Sequence, residues 1–159
     1  MGSRSGSHLA RRKRNHLLAL SPSFWSNGLS GTQRTVKPYI LRAGEGRVYR
    51  WHDVRVEVKA GVPELGGVAS ITETVTRKGE EPHEHVHETE DETFYLLEGR
   101  MTLHVDGADF EAAPGAFAFV PKGTPHTYTI TSDGDVRYLC VAVPGTFGEH
   151  IERTGERIE

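Results

Sequence analysis

The chain has 159 residues, of which 36% are apolar and 26% charged, and its formal net charge is −3. This length suits one domain with a single core, and so mild an acidic balance excludes a strongly basic nucleic-acid binder. The 18 glycines and 8 prolines punctuate many short segments, which is typical of an all-β protein rich in turns.

The first 35 residues differ in composition from the rest of the chain. They are rich in Ser, Gly, Asn and Arg without periodicity, with basic charge concentrated at 11–14. Such a stretch can contact nucleic acid or an anionic membrane. The favoured interpretation is a flexible basic arm or a segment added for expression. The apolar run 17–20 is too short for a signal-peptide core or a bilayer span. We therefore expect a cytoplasmic protein with no nucleic-acid partner and no membrane contact.

Short strand signals begin at Val36 and continue to the C-terminal part of the chain. Period-two alternation and Gly, Pro or Asp-Gly turns predict strands in seven segments: 55–59, 69–76, 101–105, 108–112, 116–120, 126–130 and 136–143. About nine strands with turns every eight to twelve residues indicate a sandwich or barrel. We predict one domain over 36–145, followed at 146–159 by a tail or a short helix.

The single cysteine, Cys140, lies inside the apolar segment 138–143. One cysteine cannot form an internal disulfide, which suits a reducing compartment. A small core residue is the favoured interpretation of Cys140, ahead of a reactive nucleophile.

The segment 79–92 carries three alternating histidines followed by an acidic cluster. On a strand, His85 and His87 would project from one face, and a short bend would bring Glu92 back towards them. Two imidazoles beside a carboxylate form half of a transition-metal site, although a solvated polar loop is the alternative.

A fourth histidine, His126, follows a turn built by Pro121 and Gly123. A rigid turn of this kind holds a ligand side chain in one orientation, as a metal site requires. By parity His126 shares a strand face with Tyr128 and Ile130, and this face is otherwise apolar and aromatic.

These two segments resemble the two motifs of the cupin family. Both spacings agree with the family pattern, except that Ile130 replaces the final Asn of the second motif. The residues that match the first motif are Gly79, His85, His87, Glu92 and Gly99. Those that match the second are Gly115, Pro121, Gly123 and His126. The resemblance covers about residues 36–145. It implies an all-β cupin double-stranded β-helix, a small jelly-roll-like barrel that holds its metal inside and often forms homodimers.

The resemblance also implies a ligand set for one divalent transition metal. Its members would be His85, His87, Glu92 and His126, a donor set that admits Fe, Mn, Ni, Co, Cu or Zn. His83 has the right parity but falls outside the motif, so we assign it to the surroundings of the site or to the surface. Three further acids on the connecting loop are interpreted as solvated: Glu88, Glu90 and Asp91.

Aromatic residues at matching parity are candidates for the wall of a substrate cavity. Tyr128 shares a face with His126, Phe94 shares one with Glu92, and one face of the segment bearing Phe117 and Phe119 would join them. Ordinary core packing is the alternative for each residue. Because no Arg and Lys cluster lies near the motifs, a flat aromatic or phenolic small molecule is favoured over a phosphorylated one.

Within the cupins, the chain resembles two groups of small enzymes. In quercetinase-like dioxygenases, the metal-bound Glu takes the proton of the flavonol 3-hydroxyl, a role that would fall to Glu92. In monocupin aromatic polyketide cyclases, the metal acts without redox chemistry. The dioxygenase is our first hypothesis, the cyclase our second, and a non-catalytic ligand-binding cupin our third.

Overall fold

The computed structural model describes residues 36–158, and this part of the chain is mostly β-strand. Two short helices complete it, neither of which has the length and apolarity needed to cross a bilayer. The elements in chain order are β1 Arg47–Trp51, β2 Val54–Ala60, α1 Val62–Leu65, β3 Ser70–Thr76, β4 Asp91–Glu98, β5 Met101–Val105, β6 Ala108–Ala112, β7 Phe117–Val120, β8 His126–Ile130, β9 Val136–Val143, α2 Thr146–Thr154 and β10 Glu156–Arg157.

The strands form two antiparallel sheets. The larger sheet has the order β10-β1-β2-β3-β9-β4-β7, and the smaller has the order β6-β5-β8. Inward-facing positions alternate with outward-facing ones, as in β3, where Ser70, Thr72, Thr74 and Thr76 are buried. This architecture confirms the predicted all-β double-sheet fold.

Every segment predicted as a strand lies in one, with small differences at the ends. Three further strands were not among the predicted segments: β1, β4 and β10. In β1, the order Arg-Val-Tyr-Arg-Trp has no period-two alternation of apolar and polar residues. The expectation that His85 and His87 lie on a strand is wrong. The segment 77–90 is irregular except for an isolated bridge between His85 and His126, because Pro82 and the charged residues around it are weak strand formers.

The apolar interior consists of two clusters. The larger lies between the two sheets and contains Phe94, Leu96, Met101, Leu103, Ala112, Val120, Tyr128, Ile130, Val136, Tyr138 and Cys140. The smaller lies under the β1–β2 hairpin and α2 and contains Tyr49, Val54, Val56, Val58 and Ile151. Phe147 packs against both clusters, so the start of α2 lies where they meet.

The C-terminal segment packs on the barrel. Ile151 of α2 is fully buried, and Gly148 approaches Ser70 so closely that an added Cβ would lie 2.5 Å from the serine Cβ. Strand β10 then pairs with β1. Residues 36–159 accordingly form one compact unit. The proposed arm, residues 1–35, lies outside the described residues.

Candidate metal centre

Four side chains from separate parts of the chain converge inside the barrel. One ligand atom from each of His85, His87, Glu92 and His126 lies within 4.8 Å of all the others. Glu92 is the second residue of β4, His126 is the first of β8, and the other two belong to the irregular segment 77–90. The structure therefore brings together the complete donor set named from the motifs.

Hydrogen bonds to β8 place the segment that carries His85. The backbones of His85 and His126 bond each other reciprocally, with N···O distances of 3.1 and 3.0 Å. On one side of this bridge, the Thr127 hydroxyl donates to the Pro82 carbonyl at 2.6 Å, and the Ile130 amide donates to Glu81 Oε1 at 3.1 Å. The irregular segment thus obtains its geometry from the edge of the neighbouring strand.

The turn before His126 is bonded directly to the first motif. Gly123 has a φ of +78°, a conformation that favours glycine, and its amide donates to the His87 carbonyl at 2.8 Å. The Lys122 amide donates to Asp91 Oδ1 at 3.0 Å. Asp91 therefore caps this turn, a contact that the sequence did not predict.

Each histidine is oriented through its Nδ1 atom. His85 Nδ1 lies 2.8 Å from the His83 carbonyl oxygen, and His126 Nδ1 lies 2.9 Å from that of Thr124. His87 Nδ1 lies 3.3 Å from Glu90 Oε2. Because carbonyl and carboxylate oxygens only accept, each Nδ1 carries the proton, and the Nε2 lone pairs remain available for a metal.

The contacts of Glu92 require a positive charge at the centre of the cluster. Its Oε2 lies 3.1 Å from His126 Nε2 and 3.4 Å from His87 Nε2. With the Nδ1 protons engaged elsewhere, these nitrogen lone pairs would face a carboxylate oxygen. Either a second imidazole proton or a cation must separate them. Imidazole nitrogens and one carboxylate fit a divalent transition metal such as Fe, Mn, Ni, Co, Cu or Zn.

The ionisation of Glu92 agrees with this arrangement. Burial by itself raises the pKa of the Glu92 carboxyl. When His126 and His87 donate from Nε2 in the metal-free site, their hydrogen bonds and that from Cys140 outweigh burial and lower the pKa to about 2. Burial lowers the pKa of His85, whereas the hydrogen bond with Glu92 raises the pKa of His87. The site thus holds an ionised carboxylate at neutral pH in spite of its burial.

Glu90 also belongs to the site, contrary to the expectation of a solvated acid. Its side chain is only 11% exposed, and besides His87 Nδ1 it accepts a hydrogen bond from Thr146 at the start of α2. A carboxylate bonded to the far nitrogen of a ligand histidine fixes the ring orientation. Spacing alone did not distinguish Glu90 from its acidic neighbours, because its partner Thr146 is distant in sequence.

A cavity of about 490 Å³ opens next to the four donors. The predicted wall residues Phe94 and Tyr128 line it, and so does His83, which stays outside the donor cluster. The ring centroid of Phe94 lies 6.3 Å from that of His126 and 5.4 Å from that of Tyr138. Phe94 therefore lies between the donor histidines and the tyrosines of the cavity. The hydroxyls of Tyr128 and Tyr138 are 3.4 Å apart.

The lining of the cavity includes an aromatic pair that the sequence did not identify as functional. Trp51 at the end of β1 and Phe147 of α2 pack edge to face, with ring centroids 5.6 Å apart, and Phe147 lies 5.9 Å from His87. Both residues line the cavity. Their strand and helix are adjacent only in the folded chain.

Phe117 and Phe119 do not line this cavity. Ala118 and Val120 are the β7 positions opposite Phe94 and Glu92, so the phenylalanines take the other face. They are 66% and 56% exposed. The parity of β7 places alanine and valine on the inner face, so Phe117 and Phe119 are not part of the wall next to the donors, and a role for them in substrate binding stays a prediction.

Comparison with known proteins agrees with the fold and the motifs. Residues 73–142 match the family model described as the cupin domain. Quercetin 2,3-dioxygenase of Bacillus subtilis is 34% identical over 77% of this chain and 36% of its own length. An uncharacterized protein of Methanocaldococcus jannaschii is 28% identical over 69% of this chain and 81% of that protein.

Solved structures show the same fold. A Thermotoga maritima protein described as a predicted oxalate decarboxylase superposes with a TM-score of 0.62 at 22% identity, covering 67% of this chain and 99% of that one. KdgF from Halomonas gives a TM-score of 0.59 at 15% identity, with coverage of 69% and 94%.

The double-sheet barrel and its inward-facing donors define a cupin-type protein, and the chain carries a cupin domain over the matched residues 73–142. The chain spans only about a third of the Bacillus dioxygenase, 36% of its length. With the clustered donors, these findings support a cupin domain with a candidate metal centre.

Proposed function

We propose that this protein is a metal-dependent dioxygenase that acts on a flat phenolic substrate of the flavonol type. One divalent transition metal would be held by His85, His87, Glu92 and His126. The observation that carries the proposal is the convergence of three Nδ1-anchored imidazoles on a buried, ionised carboxylate. The similarity to quercetin 2,3-dioxygenase supports the choice of reaction.

Glu92 would act as both ligand and proton acceptor. When bound, the metal supplies Lewis acidity that acidifies a coordinated hydroxyl and, if it is redox-active, the capacity to react with dioxygen. Glu92 would accept the substrate proton as an ionised carboxylate. The buried position of Glu92 keeps water from competing for that proton.

The cavity would orient the substrate through its aromatic walls and its two phenols. Phe94, Trp51 and Phe147 present ring surfaces to a flat molecule. Burial raises the pKa of both Tyr128 and Tyr138, so each hydroxyl stays neutral and can donate to a substrate oxygen. A volume of about 490 Å³ is within the range typical of small-molecule sites.

The proposal includes a homodimer in the cytoplasm. Exposed aromatic residues on the outer face of the larger sheet, Tyr95, Phe117 and Phe119, support a contact with a second copy, since such patches mark interfaces. Cys140 is a free, buried thiol, which fits a reducing compartment. Light scattering of the wild type and of Phe117→Glu tests the dimer, and an unchanged mass in the variant would remove this face from it.

Metal analysis combined with oxygen uptake tests the proposed activity. Metal-free protein would be loaded with Fe(II), Mn(II), Ni(II), Co(II) or Zn(II) and assayed with quercetin. Oxygen consumption with a redox-active metal and none with Zn(II) is the expected result. Product formation in the zinc form on a poly-β-keto substrate without oxygen uptake would favour the cyclase, and metal-dependent binding without turnover would favour a ligand-binding role.

A further inference from the structure

We infer that Cys140 is a positioning residue that holds the Glu92 carboxylate so that only one of its oxygens faces the metal. The inference depends on the metal-binding part of the proposed function. It concerns how the ligand is oriented, and it assigns Cys140 no contact with metal or substrate.

The two oxygens of Glu92 have different partners. Oε2 faces the imidazoles of His126 and His87, at 3.1 and 3.4 Å from their Nε2 atoms. Oε1 accepts a hydrogen bond from the Cys140 thiol, with an Sγ···O distance of 3.1 Å. The thiol is the donor of this pair, because an ionised carboxylate oxygen can only accept. The carboxylate is therefore held at both ends, by the donor cluster and by the thiol.

The sheet register makes this contact a fixed feature of the fold. Glu92 pairs with Ala142 and Phe94 pairs with Cys140 across β4 and β9, so Glu92 and Cys140 are diagonal neighbours on the inner face. Both side chains are buried, at 4% and 2% exposure. No backbone movement is needed to bring them together.

Loss of the thiol hydrogen would leave Oε1 buried without its donor. An unsatisfied buried acceptor is costly, and the carboxylate would relieve this by rotating both oxygens towards the cation. A one-oxygen ligand would then become a two-oxygen ligand. We expect a changed coordination number and weaker binding, because the imidazole geometry is built around a single carboxylate oxygen.

Variants that separate hydrogen bonding from volume test the inference with Co(II) as the probe metal. Cys140→Ser keeps a donor, whereas Cys140→Val keeps the bulk and removes the donor. Val136→Ala is the control, because it alters a fully buried residue of the same strand away from the site. Affinity is measured by competition titration, and coordination by the visible absorption of bound Co(II).

Cys140→Val should bind Co(II) about 10–100-fold more weakly, as is typical when a residue that orients a ligand is lost. Its Co(II) spectrum should also change. Cys140→Ser and Val136→Ala should keep the wild-type spectrum and affinities within about threefold. Wild-type affinity and spectrum in Cys140→Val would overturn the inference. Absence of Co(II) binding in the wild type would instead overturn the metal site itself.

Infrared spectroscopy tests the contact without relying on the folding of a Cys140 variant. Because the chain has one cysteine, its S–H stretching band belongs to Cys140 alone. We expect this band at a lower frequency than that of a free thiol, and a return towards the free value in Glu92→Gln, whose amide is a weaker acceptor. A band at the free-thiol position in the wild type would overturn the inference.

Discussion

The two histidine-bearing halves of the site have different backbones. His126 begins β8, which pairs with β5 through five consecutive register positions. His85 and His87 lie in an irregular segment whose one β-bridge is the His85–His126 pair. A ladder therefore positions one half of the site, whereas individual hydrogen bonds to that ladder position the other.

The difference extends to burial. His126 is 2% exposed, whereas His85 and His87 are half-buried on the side where the cavity opens. A segment with few buried apolar contacts opens more readily than a core strand. The strand half should therefore act as a rigid base, and the loop half should respond to small changes in its anchors.

The largest effect is expected from Glu92, which belongs to the strand half. Glu92→Gln keeps the size of the side chain but removes its charge, so turnover should fall by about 10²–10⁴-fold if this group accepts the substrate proton. Steady-state kinetics of variant protein with measured metal content would check this. Unchanged turnover at full metal occupancy would remove Glu92 from proton transfer.

Alanine at a histidine of either half should weaken metal binding by more than about 100-fold, beyond the loss typical of outer-shell changes. His126→Ala should also lower the stability of the metal-free protein, because it empties a buried site, whereas His85→Ala should not. Metal titration measures the first effect and thermal unfolding the second.

His104→Ala is the control for these variants, since His104 forms hydrogen bonds with Asp109 and Thr129 outside the cluster. Stoichiometric retention of tightly bound metal by the site variants would contradict the ligand assignment.

Acid sensitivity should reveal the buried charge of the metal-free protein. The pKa of Glu92 is about 2 in the folded state against an ordinary 4.5, so its ionisation stabilises the fold above pH 4.5. That contribution disappears as the pH falls from 4.5 to about 2, and it amounts to at most about 3 kcal/mol. Denaturant unfolding of wild type and Glu92→Gln should be measured across this pH window. The free energy of unfolding should fall more steeply with decreasing pH in the wild type than in the variant. Parallel curves would contradict the depressed pKa.

A loop anchor should have a smaller effect that is specific to the metal. Thr127→Val removes the hydroxyl bonded to the Pro82 carbonyl, so His85 and His87 should become less ordered and metal affinity should fall about 10-fold. Thr129→Val is the matched control on the same strand, since its hydroxyl contacts His104 instead. Equal affinities in the two variants would show that the loop needs no such anchor.

The smallest effect is expected from shortening the chain. A protein beginning at Thr35 should keep its metal and melt within about 5 °C of the full chain, because residues 1–34 have too little apolar surface to offset their ordering entropy. Calorimetry and metal analysis would check this. A large drop in melting temperature would show that the arm packs on the domain.

Local patterns predicted most of the fold and the identity of the donors. Alternation in segments such as 126–130 reflects a period imposed by the strand itself, so it correctly placed His126, Tyr128 and Ile130 on the inner face. The motif spacing selected Glu92 rather than Asp91, and the structure places Glu92 in the cluster. The same parity argument failed for His85 and His87 because their segment is not a strand, although both reach the cluster.

The sequence alone determined an all-β cupin domain and the four donors, since these depend on short-range periodicity and on motif spacing. Tertiary structure decided the rest, because each remaining feature joins residues far apart in the chain. Glu90 meets Thr146, Trp51 meets Phe147, and Cys140 reaches Glu92 through the β4–β9 register. A local pattern carries no information about such partners, since strand order and helix docking bring them together only when the whole barrel closes.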